Sequence, residues 1–232
     1  MPEFIERTKS DVIAIRRKAG NPGRGAADRV INCFTPGTLI TTRAGKRPVE
    51  ALRPGDRILT RDRGFQPLLW RGMRLADLPR LDARARPVLI RAGAPGPGQP
   101  ERDLIVSPRH HLLSTDPGLL RDTGEPEVLV EAQALIGRPG IGQVAPARMV
   151  YAHLLMEQHE IILAENCWTE SFCLTRSALQ AMAAAGRNHF ARMLPVLRTR
   201  LQDAVQVPAR FCPSPGEIGE QIRDRIPDAL AV

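Results

Sequence analysis

The 232-residue sequence predicts a mainly β domain followed by a C-terminal α-helical extension. Short apolar and β-branched runs alternate with turn residues from Val30 to Phe172, which is typical of an all-β fold. The chain also contains 19 glycines and 21 prolines, and these residues favour turns. After Ser171 the composition changes to Ala, Leu and Arg, and this change marks the helical extension.

The predicted elements of the first half follow one another closely. Residues 1–29 are basic and contain the break GNPGRG, which predicts an N-terminal arm and a linker. Turn signals at residues 44–46 and 54–56 separate the first of the strands. The runs that predict strands are residues 38–42, 57–60, 65–72, 88–90 and 104–106.

The second half of the chain predicts fewer strands and then helices. Residues 127–135 predict a strand followed by a short helix, and residues 149–157 and 159–164 predict a hairpin that turns near Glu157 and Gln158. Residues 175–187 and 188–205 predict two helices, with one short helix over 218–226 in the tail. The predicted domains are therefore the arm 1–29, the β domain 30–173 and the extension 174–232.

The composition limits which classes of function the chain can have. Six Phe, two Trp and one Tyr predict an aliphatic core, and no stretch approaches the roughly 20 apolar residues of a membrane helix. Lys and Arg number 33 against 25 Asp and Glu, so a nucleic-acid-binding protein is one alternative. The scattered arginines and the scarcity of aromatics for base stacking weigh against it and favour a GC-rich coding bias.

Four cysteines lie far apart, without a CxxC pair, which argues against a disulfide framework and a zinc knuckle. Cys167, Cys173 and Cys212 are interpreted as buried or incidental thiols. The N-terminus shows no secretory signal, so we expect a cytoplasmic protein with reduced thiols. Export by a route without a cleaved signal stays open as an alternative.

The sharpest motif is CFTPGTLI at residues 33–40, where a cysteine precedes a turn of small residues that leads into a strand. VEALRPGD follows at residues 49–56 and SPRH at residues 107–110. YAHL at 151–154 and HEIILA at 159–164 complete the ordered set. The set resembles the Hint domain that hedgehog autoprocessing domains share with inteins, and more narrowly the bacterial stand-alone Hint proteins. The resemblance covers about residues 32–172.

The resemblance implies a fold and a site. The fold is a Hint-like β-fold with pseudo-two-fold strand pairs. The family's T-x-x-H motif, here Ser107 to His110, would lie against the scissile bond. Ser107 would contact the scissile carbonyl or amide, His110 would act on the amide nitrogen, and His153 would assist from the late strands. We therefore expect His110→Ala to slow the reaction strongly.

The chemistry of such a site can be stated directly. The Cys33 thiol would attack the carbonyl of the Asn32–Cys33 peptide bond and form a thioester. Only a few per cent of a free cysteine is thiolate at pH 7, and amide resonance opposes the attack. The site must hold sulfur near the carbonyl, donate hydrogen bonds to the oxyanion and protonate the departing nitrogen.

Several alternatives remain open for single residues. Cys33 could be a small buried hydrophobe, and a zinc site formed by Cys33, His110 and Cys167 is conceivable. Strand alternation would direct His111 to the face opposite His110. His159 is a second candidate to assist, and His189 in the helical tail is interpreted as a surface residue.

The chain departs from the splicing members of the family. Splicing inteins end in His-Asn before the second junction, but Glu170 and Ser171 stand at that place here. Asn166-Cys167 resembles a junction, yet it precedes the end of the final strand and predicts a turn. We therefore expect N-terminal cleavage without splicing, with residues 1–32 as the chain's own substrate, water or an unknown nucleophile resolving the thioester, and no cofactor or metal. A processing-inactive scaffold with a binding or structural role is the alternative.

Overall fold

The computed structural model describes residues 32–77, 85–175 and 205–213. The predicted N-terminal arm, residues 1–29, lies outside the described residues, and so do nearly all of the predicted C-terminal helices and His189. The part of the chain that is described is mainly β, as the sequence predicts. Its strands are β1 Leu39–Thr42, β2 Gly45–Pro48, β3 Arg57–Thr60, β4 Gly64–Asp77, β5 Val88–Ile90, β6 Leu104–Val106, β7 His111–Ser114, β8 Val128–Glu131, β9 Ile141–Gln143, β10 Arg148–Met156, β11 Ile161–Ala164 and β12 Cys167–Glu170.

The strands form two antiparallel sheets. The larger has nine strands in the order β10-β4-β3-β1-β11-β12-β7-β8, with β2 paired to β1, and the smaller has the order β6-β5-β9. The 14-residue β4 serves two partners, because its first residues pair with β3 and residues 68–77 pair with β10. Phe34 forms bridges to both Ala152 in β10 and Val106 in β6. This single residue therefore links the two sheets next to Cys33.

The predicted hairpin of residues 149–157 and 159–164 is wrong. β10 pairs with β4 along its whole length, whereas β11 pairs with β12, β1 and β3. The hairpin instead joins β11 and β12 through Glu165 and Asn166, whose φ angles are 48° and 64°. Positive φ at both central residues is what a two-residue hairpin turn needs, and asparagine tolerates it. The Asn166-Cys167 prediction therefore holds in part: Asn166 lies in the turn, and Cys167 already belongs to β12.

Residues 127–135 fold as predicted, into β8 followed by a 3-10 turn at Ala132–Leu135. Helix α1, Pro117–Thr123, was not predicted. Asp116 caps it by accepting hydrogen bonds from the N–H groups of Gly118 and Leu119, and Pro117 occupies the first turn. With seven residues it is too short to produce a helical period in the sequence.

The core is aliphatic, as the scarcity of aromatics predicts. One cluster of buried Ile, Leu, Val, Ala and Met side chains connects the strands of both sheets, and Phe34 is the one aromatic residue among its fully buried members in the described chain. Each fully buried Leu or Ile contributes about 1.5–3 kcal/mol relative to an exposed one. Packing of Phe34 into this core holds the backbone that follows Cys33.

Residues 205–213, here called the C-terminal strap, pack on the β domain. Gln206 is buried; its N–H donates to the carbonyl of Leu174 at 2.8 Å, and its side-chain oxygen accepts the N–H of Leu174 at 2.9 Å. The carbonyl of Phe211 accepts the N–H of Leu129 at 2.9 Å, beside a parallel bridge to Val128. The strap therefore extends the edge of the large sheet at β8. Among the described residues, no helix combines the length and apolarity of a membrane span.

Candidate active site

Cys33 lies where the two sheets meet. The Phe34 N–H donates to the carbonyl of Ala152 at 2.9 Å, and the Ala152 N–H donates back to the carbonyl of Phe34 at 2.8 Å. The Cys33 side chain is buried beside this pair. The peptide bond between Asn32 and Cys33 is therefore held in place from its C-terminal side.

Ser107 binds the Cys33 backbone from both directions. The Cys33 N–H, which is the amide of the Asn32–Cys33 bond, donates to Ser107 Oγ at 2.9 Å. The Ser107 N–H donates to the carbonyl of Cys33 at 3.0 Å. Ser107 directly follows β6 and opens a turn that the His110 N–H closes by donating to the Ser107 carbonyl at 3.0 Å. The turn thus presents a hydroxyl to the amide nitrogen that would depart.

His153 lies between the thiol and the carbonyl. Its Nδ1 is 3.4 Å from Cys33 Sγ and 3.2 Å from the carbonyl oxygen of Asn32, and its Nε2 is 3.7 Å from Sγ. β10 presents this ring opposite Gly72 of β4. A Cβ at Gly72 would lie 2.0 Å from the indole ring of Trp70, so only glycine lets that ring cover the strand here. His153 Nδ1 is thus in contact with both the thiol sulfur and the oxygen of the Asn32 carbonyl.

Burial controls the protonation of the thiol. It raises the pKa of Cys33 far above its usual range, while the Ser107 hydroxyl and the charge of Arg74 oppose the rise only in part. The resting residue is therefore a thiol and not a thiolate. Nucleophilic attack requires a neighbouring base, and His153 Nδ1 is in contact with the sulfur.

The structure places His110 beside Phe34 and not on the thiol. The two rings meet edge to face with centroids 4.4 Å apart. Burial lowers the pKa of His110 to about 4, so the imidazole is neutral at pH 7. Both of its ring nitrogens are buried and have no hydrogen-bond partner in the described part of the chain. They are therefore not engaged by other described groups in the resting state.

Reasoning from the sequence missed a buried carboxylate near the site. Glu170 Oε1 accepts the His111 N–H at 2.8 Å and lies 2.6 Å from His111 Nδ1. Its other oxygen lies 3.2 Å from His159 Nε2. The structure thus groups His111 and His159 around Glu170 and brings Ser107 and His153 to Cys33. No sequence signal distinguishes Glu170 from an ordinary strand glutamate, because the grouping depends on pairing between β12 and β7.

The cysteines of the described chain form neither a disulfide nor a metal site. The four cysteines are free thiols, and Cys33, Cys167 and Cys173 are buried. Within the described ranges, no group of three or more His, Cys, Asp or Glu side chains is arranged to hold a metal ion. The structure does not bring Cys33, His110 and Cys167 together as a zinc site within the described chain.

A model of the Hint domain family matches residues 32–176, which is more than half of the chain. The fold and this match define a class, the domains built on the Hint fold. The chain belongs to the Hint domain family. No curated protein matches the sequence.

Solved structures similar to this chain are inteins and intein-like domains. The gp41-1 intein has 12% identity and a TM-score of 0.38, and the match covers 60% of this chain and 97% of the intein. The bacterial intein-like domain from Clostridium thermocellum has 13% identity and a TM-score of 0.38, covering 61% of this chain and 99% of that domain. The DnaB intein from Synechocystis has 9% identity and a TM-score of 0.38, covering 60% and 98%.

Proposed function

We propose that this Hint domain cleaves its own chain at Asn32–Cys33 through an N–S acyl shift. One observation carries the proposal: His153 Nδ1 lies 3.4 Å from the thiol sulfur and 3.2 Å from the oxygen of the carbonyl that would be attacked. A base and an oxyanion donor are thereby combined in one ring. Ser107 Oγ at the amide nitrogen supports the assignment of the same bond.

The first step forms the thioester. His153 takes the thiol proton, the sulfur attacks the Asn32 carbonyl carbon, and the imidazolium N–H then donates to the oxyanion. The C–N bond breaks as the oxyanion collapses, and a proton moves to the nitrogen, which becomes the α-amine of Cys33. The Hint resemblance assigns protonation of the nitrogen to His110: its neutral ring would give up its own N–H proton and would be reprotonated by the thiol proton held on His153, and its ring nitrogens are not engaged by other described groups. Ser107 holds the nitrogen in place.

The second step releases the N-terminal segment. Water or another nucleophile attacks the thioester carbonyl, the C–S bond breaks, and the Cys33 thiol is restored. The products are residues 1–32, ending at Asn32, and residues 33–232 with an N-terminal cysteine. The reaction is a single turnover per chain and uses neither metal nor cofactor.

Cleavage without splicing fits the residues near the end of the domain. Splicing would need an asparagine that cyclises at the second junction, and Ser171 occupies that place. The Ser171 hydroxyl accepts the N–H of Glu160 at 2.9 Å. Asn166 is committed to the β11–β12 turn, where its side-chain amide donates to the carbonyl of Gly98 at 3.1 Å. Neither residue supports cutting of a second bond.

Intact mass spectrometry of the full chain tests the proposal. We expect a 33–232 product that accumulates faster with dithiothreitol and never forms in Cys33→Ala. Cys167→Ala is the matched control, because Cys167 is an equally buried thiol in β12, where it pairs with Ala164, and it should cleave like the wild type. Cleavage of Cys33→Ala at the same bond and rate would refute the mechanism. A wild-type chain that stays whole would favour the inactive-scaffold alternative.

A further inference from the structure

Glu170 contacts the C-terminal end of the loop that carries Ser107 and His110. It is the last residue of β12, and His111 is the first residue of β7, directly across the antiparallel pair. Glu170 Oε1 accepts the backbone N–H of His111, which belongs to the peptide bond joining His110 to His111. The carboxylate therefore fixes the C-terminal end of the loop.

The rest of the loop is held mainly by backbone hydrogen bonds. Its N-terminal end is bound to Cys33 through Ser107, and its middle is held by backbone bonds from Gln133 to the Pro108 carbonyl at 2.9 Å and from Ala132 to the His110 carbonyl at 2.8 Å. The hydrogen bond from His111 to Glu170 is made by a buried side chain and not by the backbone. A change at Glu170 can therefore move the loop without removing a strand.

The C-terminal strap holds Glu170 in turn. The Ala209 N–H donates to His159 Nδ1 at 2.9 Å, so the proton of the neutral His159 ring lies on Nε2. Nε2 lies 3.2 Å from Glu170 Oε2 without the geometry of a hydrogen bond, and both side chains are buried. A chain of contacts thus runs from Ala209 in the strap through His159 and Glu170 to the Ser107–His110 loop. The strap lies outside the residues 32–176 that match the family.

We propose that Glu170 is a positioning residue that holds the Ser107–His110 loop against the Asn32–Cys33 bond, and that the C-terminal strap keeps Glu170 in place through His159. This inference rests on the proposed self-cleavage. Glu170 touches no reacting atom in it, so it is a positioning residue. Burial has the largest effect on the pKa of Cys33 and of His110, and the buried charge of Glu170 also raises both pKa values. A displacement of about 1 Å at a reacting group can cost about 100-fold in rate.

Cleavage rates of Glu170 variants test the proposal in the full chain. We expect Glu170→Ala to cleave about 100-fold more slowly than the wild type when both are folded. Glu170→Gln should fall between them, because its amide oxygen still accepts the His111 N–H. Glu160→Ala is the matched control: Glu160 is also a buried carboxylate, but it binds Arg63 Nε at 2.8 Å and not the loop, so its rate should equal the wild-type rate. A folded Glu170→Ala chain that cleaves at the wild-type rate would overturn the proposal.

Amide hydrogen exchange supplies a readout that does not depend on cleavage. In the uncleavable Cys33→Ala background, adding Glu170→Ala should make the His111 and Ser107 amides exchange at least about 10-fold faster, whereas adding Glu160→Ala should not. If the wild type fails to cleave, the proposed function fails, and exchange alone decides the positioning role. Unchanged exchange at Ser107 would then overturn it, because the loop would not depend on Glu170.

Discussion

A single imidazole nitrogen, His153 Nδ1, contacts both the nucleophile and the bond that it would attack. Nδ1 cannot accept the thiol proton and donate to the carbonyl oxygen in the same tautomer. Unprotonated Nδ1 can accept the thiol proton, and Nδ1 donates to the Asn32 oxygen only when it carries a proton itself. In the proposed mechanism, proton transfer from sulfur to Nδ1 would therefore convert the base into the oxyanion donor. Burial keeps Cys33 protonated at rest, so the sulfur would attack only as its proton moves to His153. The same proton transfer would supply the donor for the oxyanion.

Replacing His153 tests this dual role. We expect His153→Ala and His153→Gln to slow thioester formation by about 100-fold or more, since general acid–base groups typically contribute 10²–10⁴-fold. Glutamine retains much of the size of the ring and can still donate a hydrogen bond, but it cannot take a proton. Quench-flow or time-resolved mass spectrometry would measure the rate. If His153→Gln cleaves like the wild type, the base must be another group.

The sequence motifs identify the participants at residue scale but not their distances. The C-F-x-x-G-T and S-x-x-H patterns point to Cys33, Ser107 and His110 through their resemblance to the motifs of the Hint family. Contact between His153 and Cys33 spans 120 positions and depends on how β10 pairs with β4. Glu170 carries no local signal for the same reason. Long-range pairing therefore decides which histidine reaches the thiol.

At the scale of elements, the site is assembled from strand ends and turns. β10 supplies His153 and Ala152, β6 leads into Ser107, and Phe34 bridges the two strands. The short alternating runs of β3, β5 and β6 are predictable because each has its own pattern and its own flanking turns. Which strand pairs with which is not predictable from the sequence, because β10 and β11 both contain mostly buried residues. Adjacency in sequence therefore suggested a hairpin that the fold does not form.

The C-terminal strap is expected to stabilise the β domain through Gln206. Its side-chain nitrogen donates to the Met156 carbonyl at 2.9 Å, and its oxygen accepts the buried Leu174 N–H. Gln206→Ala leaves these groups unsatisfied, so the free energy of unfolding should fall by about 2 kcal/mol. Val207→Ala, at an exposed neighbouring position, should change it by less than about 0.5 kcal/mol. Urea denaturation measures both changes. If Gln206→Ala lowers the free energy of unfolding no more than Val207→Ala does, the side chain of Gln206 does not stabilise the β domain.

At the scale of the whole molecule, buried histidines link stability to pH. Burial lowers the pKa of His110 from its ordinary 6.5 to about 4, so the unfolded chain binds a proton more readily between these values. This contribution to stability is present above pH 6.5 and is lost as the pH falls towards 4. His111 has the opposite sign: burial alone would lower its pKa, but Glu170 raises it. Its contribution is therefore lost as the pH rises.

Comparing the wild type with His110→Leu separates these effects. The difference in the free energy of unfolding between the two proteins should shift by about 3 kcal/mol between pH 7 and pH 4, in favour of the variant at low pH. His111 and Glu170 remain in both proteins, so most of their own contribution cancels in the difference, and their effect on the pKa of His110 is already part of its value of about 4. Denaturant unfolding at several pH values measures it. A difference that does not change with pH would mean that His110 is not buried in its neutral form.

Trapping the thioester tests self-cleavage at Asn32–Cys33 most directly. Wild-type protein incubated with hydroxylamine should yield residues 1–32 carrying a hydroxamate at Asn32, together with residues 33–232, and intact mass spectrometry would identify both. Cys33→Ala should yield neither. A chain that stays whole in hydroxylamine, or a fragment 1–32 that forms equally well without Cys33, would contradict the thioester mechanism.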